Sequence, residues 1–268
     1  MIPVVSASII LTPSVGVRMK DRYSYNHLKS AIFFAKNAHE LEKKYEKSFE
    51  SLKAEERENI TEEYSAFTTS AIILSVAFIE AHINEFFDNV IEKKPNNSSS
   101  GTVIDKLYNN CPDNFKFIQS LFLLKEDIYD KLSFLKKYDF ALVCFSKEPF
   151  EKGKKPYQNL KLIIDLRNSL VHYYPEYQTA QKGGMGNEQS KIEKKFQDKF
   201  DINPFFKNTG NPFYPHKCLS YSSAKWSIMS SYEFVEGFYS KFDLESGYKR
   251  IIKRLDEETP LEDIKKGN

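Results

Sequence analysis

The sequence is poor in the residues that build metal centres and disulfide frameworks. Its three cysteines, Cys111, Cys144 and Cys218, lie far apart and are odd in number, so they match neither a zinc pattern nor a disulfide framework. His39 and the glutamate after it begin like a zinc-protease motif, but Lys43 occupies the position of the second histidine. We therefore expect no metal, no cofactor and a reduced, cytoplasmic location.

The chain also lacks a large charge excess and a long apolar run. Its net charge is +2, so an RNA site has to come from local clustering of basic residues. No run of about 18 apolar residues occurs, so no contact with a membrane is expected. The apolar stretch from Ile2 to Leu11 contains Pro3 and has no positive charge before it, which is untypical of a signal peptide. Its β-branched residues favour a short strand or an extended arm within residues 1–20.

Helical periodicity dominates the rest of the chain. Hydrophobic residues make up 41% of the sequence and aromatic residues 15%, which is enough for a core. Apolar residues recur at helical spacing in 24–56, 61–92, 102–148 (broken at Cys111-Pro112), 157–174 and 217–242. The pattern predicts an all-α, up-and-down bundle formed by one domain over 1–268, with Thr61 as an N-cap. Residues 175–215 are expected to form an insert loop and 250–268 a charged, fraying tail.

An arginine interrupts the inner face of the helix at 157–174. The heptad positions of that face are Leu160, Ile163, Arg167, Leu170 and Tyr174. A guanidinium in a core position needs an anionic partner, either a carboxylate or a bound phosphate. The chain contains 6 Arg against 33 Lys, which indicates that the planar fork of arginine matters here, and not only its charge.

A histidine lies near the end of the same helix. Pro175 cannot continue the helix, so His172 falls in the last turn, where the helix dipole favours the imidazolium form. An imidazole in that position can both give and take a proton near neutral pH. Asn168 and His172 form an i,i+4 pair. An arginine for a phosphate and a titrating histidine beside it are a minimal set for breaking a phosphodiester bond.

Residues 167–174, Arg-Asn-Ser-Leu-Val-His-Tyr-Tyr, resemble the R-(N/D/H)-x-x-x-H motif of the HEPN superfamily (higher eukaryotes and prokaryotes nucleotide-binding domains). They are also similar to the R-x4-H-x-Y form of HEPN toxins that are paired with nucleotidyltransferase antitoxins. The resemblance implies an all-helical, dimeric, metal-independent endoribonuclease of a bacterial toxin–antitoxin or phage-defence system. It implies catalytic roles for Arg167, His172 and Asn168 and a supporting role for Tyr174.

Four further residues are candidates for the same site. Glu80 interrupts an apolar helical stripe, and the HEPN resemblance suggests that it meets Arg167; alternatively, this stripe faces solvent. Lys152, Lys154 and Lys155 precede the motif helix. They could contact RNA phosphates or merely solvate a turn.

Two other features have structural explanations. Arg22 and His27 repeat the motif spacing, but Tyr23 replaces the polar residue after arginine and Lys29 replaces the tyrosine. We interpret this copy as accidental. His82 lies in an apolar helix and is expected to be a core histidine with its hydrogen bonds satisfied.

The predicted function is RNA cleavage by attack of the 2′-hydroxyl group, with RNA as substrate, a homodimer as the working unit and an antitoxin or defence protein as a possible partner. Two alternatives stay open. The chain could be an inactive helical module that binds a nucleotide or a protein partner. It could also be a toxin that is regulated by nucleotidylation of Tyr174.

Overall fold

The computed structural model describes residues 22–94, 102–124, 131–173, 191–196 and 198–256. All regular secondary structure in these ranges is helical, which confirms the predicted all-α class. The α-helices described are α1 (Tyr23–Tyr45), α2 (Ala54–Glu92), α3 (Val103–Asn110), α4 (Pro112–Leu124), α5 (Phe134–Cys144), α6 (Tyr157–Val171), α7 (Lys191–Phe196), α8 (Tyr221–Ser240) and α9 (Lys249–Ile252). Short 3-10 turns lie at Phe49–Ser51, Pro204–Phe206 and Lys253–Leu255, and a π-helical turn lies at Phe213–Lys217. The arm predicted for residues 1–20 lies outside the described residues.

The long helix α2 is the centre of the fold. It contains 39 residues and is therefore roughly 58 Å long. Helices α1 and α8 pack along it, and α4, α5 and α6 contact it as well. Phenylalanine rings join α2 to α8, as in the edge-to-face pair of Phe86 and Phe238 with centroids 5.1 Å apart. Helix α2 is thus the element against which these other helices pack.

The start of α2 differs from the prediction. The helix begins at Ala54, so the expected N-cap at Thr61 was wrong. Glu56 accepts a hydrogen bond from the backbone N–H of Lys53 at 3.1 Å. Acidic side chains in the first turn also interact favourably with the positive end of the helix dipole. The Thr61 hydroxyl donates to the carbonyl of Glu58 at 2.9 Å inside the helix. An interior threonine can form such a bond without ending the helix.

Helix α2 is also long and apolar enough, by length and composition alone, to cross a membrane. Its most apolar 18-residue window has a mean hydropathy of 1.6, and half of that window is buried in the fold. The core helix of a soluble protein has the same properties, so the window does not distinguish the two.

Part of the predicted insert loop packs into the fold instead. Within 175–215 the structure describes 191–196 and 198–215, and it contains helix α7 and two short helical turns. Phe196 and Phe205 are buried. The ring of Phe205 stacks on Phe49 with centroids 4.6 Å apart and meets Tyr64 edge-on at 5.0 Å. Aromatic side chains thus tie an otherwise polar segment to the body of the protein.

The described part of the tail is likewise packed. Residues 250–256 include the end of α9 and a 3-10 turn, and Ile251, Ile252 and Leu255 are buried in the main core. The expectation of a fraying tail was therefore wrong for these residues, because three apolar side chains among the charged ones reach the core. Residues 257–268 lie outside the described residues.

Candidate active site

Helix α6 carries the motif and is held by its apolar face. It runs from Tyr157 to Val171 and buries Asn159, Leu160, Ile163 and Leu166. Leu166 packs in a cluster with Ile72 of α2 and with Cys218. His172 is the C-cap, and its backbone N–H donates to the carbonyl of Asn168 at 2.8 Å. The predicted placement of His172 at the helix end is confirmed.

The inner-face position predicted for Arg167 was wrong. Leu166 is fully buried, whereas Arg167 is half-buried at the edge of the packed face. Arg167 lies one heptad after the fully buried Leu160, but close to the end of the helix at Val171. Among the described residues, no carboxylate forms an ion pair or hydrogen bond with Arg167.

The pairing of Glu80 with Arg167 is absent from the described part of the chain. Glu80 and Asn84 are exposed on α2, and Asn84 accepts a hydrogen bond from Lys137 at 2.9 Å. The buried face of α2 passes instead through residues such as Ile79 and Ile83. The solvent-facing alternative for Glu80 is the one that the structure supports.

Arg167, Asn168 and His172 share one end of α6 and differ in accessibility. Asn168 and His172 are exposed and Arg167 is half-buried. On an ideal helix Arg167 and His172 would lie about 140° apart around the axis. His172 itself has left the helix, with φ −107° and ψ 47°. The three residues thus share the C-terminal end of α6, and the orientation of His172 departs from that of an ideal helix. Tyr174 lies outside the described residues.

The structure separates the predicted RNA-binding lysines from His172. Lys152, Lys154 and Lys155 are exposed in the turn that precedes α6, and Lys154 pairs with Glu151 at 2.7 Å. Helix α6 has 15 residues and is roughly 22 Å long, so the lysines and His172 lie at its opposite ends. A single phosphate cannot contact both groups, although an extended RNA strand is long enough to do so.

Sequence reasoning missed a tyrosine that contacts the motif helix. The Tyr214 hydroxyl donates to the backbone carbonyl of Ser169 at 2.6 Å, and its ring lies 6.4 Å from that of Tyr173. Lys195 adds an ion pair with Asp165 at 3.0 Å. Both contacts come from the predicted insert. The signal that could have pointed to Tyr214 is the aromatic content of that segment, which is unusual for an exposed loop.

The second copy of the motif borders a cavity of about 460 Å³ near the C-terminal half of α2. Arg22 and Glu85 are among its lining residues. Glu85 accepts the backbone N–H of Ser24 at 2.8 Å and its hydroxyl at 2.5 Å. His27 is half-buried, with its ring 5.9 Å from that of Tyr23. In this copy Arg22 lines the cavity and lies directly before the start of α1.

Two findings complete the description of the site. Among the described residues, no group of three His, Cys, Asp or Glu side chains is placed to hold a metal ion. Comparisons of the chain with protein-family models, with curated proteins and with solved structures found no match.

Proposed function

We propose that the protein is a metal-independent endoribonuclease of HEPN type that acts as a bacterial toxin or phage-defence effector. The observation that carries the proposal is the half-buried guanidinium of Arg167. It has no carboxylate partner among the described residues and lies on the same helix end as the accessible His172. The planar guanidinium of an arginine at a partly open site suits bidentate binding of a phosphate.

In the proposed reaction, Arg167 binds the scissile phosphate and stabilises the negative charge that builds on it. His172 removes the proton of the ribose 2′-hydroxyl, and the 2′-oxygen forms a bond to phosphorus. The bond from phosphorus to the 5′-oxygen breaks, and that oxygen takes a proton from an acid. The products are a 2′,3′-cyclic phosphate and a 5′-hydroxyl end, and DNA is not cut because it lacks the 2′-hydroxyl.

The reaction needs a base at one end of the bond and an acid at the other. One exposed histidine serves both ends poorly, whereas two copies of His172 facing each other across a two-fold axis would supply one group to each end. In such a dimer the arginine of one copy can also act with the histidine of the other. A homodimer is accordingly part of the proposal.

The test is RNA cleavage in EDTA by the wild type, by His172→Ala and by the matched control His27→Ala from the second motif copy. We expect His172→Ala to reduce the cleavage rate by about 10²–10⁴-fold with an unchanged melting temperature, because the side chain is exposed. His27→Ala should cleave like the wild type. A substrate with a single 2′-deoxy nucleotide at the cut site should resist cleavage.

Equal cleavage by the wild type and His172→Ala would end the ribonuclease proposal. RNA or nucleotide binding without cleavage, lost on Arg167→Ala, would favour the inactive binding module instead. In that case the same unpaired arginine binds a phosphate without any proton transfer.

A further inference from the structure

The carbonyl of Ser169 lies between the two motif residues. Arg167 precedes Ser169 by two positions and His172 follows it by three. The last carbonyls of a helix have no partner within the helix and need an external donor. The hydroxyl of Tyr214 supplies one to Ser169 at 2.6 Å, which is a short distance for a hydrogen bond between neutral groups. The backbone that leads to His172 is thereby tied to a different part of the chain.

The segment that carries Tyr214 is itself anchored. Tyr214 belongs to the turn Phe213–Lys217, where the backbone N–H of Cys218 donates to the carbonyl of Phe213 at 2.8 Å. The backbone N–H of Asn203 donates to Lys217 at 2.8 Å, and both Asn203 and Cys218 are fully buried. The hydroxyl of Tyr214 is thus presented from a packed support and not from a loose side chain.

Burial also keeps this tyrosine in its donor form. Desolvation raises the pKa of Tyr214 to about 12, so the hydroxyl keeps its proton over the whole range in which a histidine titrates. The aromatic ring packs in the same cluster as Leu166 and Phe196. Replacement of the hydroxyl by hydrogen would therefore remove its bond to the Ser169 carbonyl and leave the packing of the ring in place.

We propose that Tyr214 is a positioning residue, which holds the last turn of α6 so that His172 keeps a defined orientation relative to Arg167. The effect on catalysis rests on the proposed ribonuclease function, but the effect on the position of His172 does not. Tyr214 touches no reacting atom in this scheme. It acts through the Ser169 carbonyl and the backbone between that carbonyl and His172.

The test compares Tyr214→Phe with Tyr138→Phe. The control loses a hydroxyl–carbonyl bond of the same kind elsewhere in the core, where the Tyr138 hydroxyl donates to Ile79 at 3.1 Å and also bonds Nδ1 of His82 at 2.7 Å. In Tyr214→Phe we expect amide hydrogen exchange at residues 170–173 to become at least tenfold faster, and the imidazole NMR signals of His172 to shift. Tyr138→Phe should lower the melting temperature and leave both signals as in the wild type.

Kinetics provide a second readout. Misplacement of a catalytic group by about 1 Å can cost roughly 10²-fold in rate, so Tyr214→Phe should lower kcat about 10- to 100-fold. KM should change less than twofold, because Arg167 precedes the loosened carbonyl and keeps its helical position.

The two proposals fail in distinguishable ways. A wild type that cleaves no RNA would remove the ribonuclease function, while exchange and NMR would still test the positioning role. Unchanged exchange at 170–173 and an unchanged His172 signal in Tyr214→Phe would overturn the positioning role even in an active enzyme. The same holds if Tyr138→Phe moved both signals equally.

Discussion

We expect acid to destabilise the fold through His82, which is only 2% exposed. The Tyr138 hydroxyl donates to the carbonyl of Ile79 at 3.1 Å, so its proton is not available to the histidine. The Nδ1–H of His82 then donates to the Tyr138 oxygen at 2.7 Å. Nε2 accepts the hydroxyl proton of Tyr239 at 2.9 Å. In this tautomer the neutral imidazole has a partner at both ring nitrogens, as expected for a core histidine.

The size of the effect follows from the pKa. Burial lowers the pKa of His82 from 6.5 to about 3. Because the folded-state pKa is depressed, the stabilisation is present above the unfolded-state value of 6.5 and is lost as the pH falls toward 3. Each pH unit within this window is worth about 1.4 kcal/mol. The whole window therefore removes on the order of 4–5 kcal/mol, a large part of the stability of a typical domain.

The variants that isolate this effect are His82→Leu alone and His82→Leu combined with Tyr239→Phe. At pH 7 the single variant leaves the Tyr239 hydroxyl without its acceptor, which costs about 1–3 kcal/mol, and the second change removes that orphaned donor. The free energy of unfolding in urea is measured between pH 7 and 4 from the fluorescence of Trp226, the single tryptophan of the chain.

Below pH 6.5 the advantage of the wild type over either variant should shrink by about 1.4 kcal/mol per pH unit. An advantage that does not change with pH would refute the assignment of a buried, neutral His82.

Three more predictions follow from other parts of the molecule. Arg167→Lys should lose nearly as much RNA cleavage as Arg167→Ala, because a point charge cannot replace the bidentate fork; a lysine variant with most of the wild-type rate would contradict phosphate binding by the fork. Light scattering at micromolar concentration should show a homodimer, since Val171 and Tyr173 beside the motif are 49% and 50% exposed; a monomer would exclude the composite site. Desolvation raises the pKa of Glu42, which accepts a hydrogen bond from Tyr64. The stability that the protonated Glu42 contributes is therefore complete below the unfolded-state pKa. It is lost as the pH rises through the folded-state pKa. Glu42→Gln should therefore gain stability relative to the wild type between pH 4 and 7 in urea unfolding, and a constant difference would contradict the shift.

Several features were predictable because they depend on neighbouring residues only. The break at Cys111-Pro112 separates α3 from α4, since proline fits the first turn of a helix better than its interior. His172 lies at the end of α6, as the nearby Pro175 indicated. The hydrogen-bonded core or edge position expected for His82 also followed from an apolar helical surrounding, although its two tyrosine partners could not be read from the sequence.

Other features depended on contacts between distant segments and were missed. A heptad template placed Arg167 inside the core, whereas packing of α6 on Ile72 placed Leu166 there and Arg167 at the edge. Glu80 was suggested as a partner of Arg167 from resemblance alone, but the buried face of α2 turned it to solvent. The bond between Tyr214 and Ser169 spans 45 positions, and no local pattern encodes it.

The sequence by itself determined the helical class, most helix positions and the placement of an arginine and a histidine at one helix end. These properties arise from backbone sterics and from a hydrophobic period within each segment. Only the tertiary structure decided how deeply Arg167 is buried and what supports the turn that leads to His172. Those outcomes depend on the rotation and packing of whole helices, where small shifts exchange one neighbouring side chain for another.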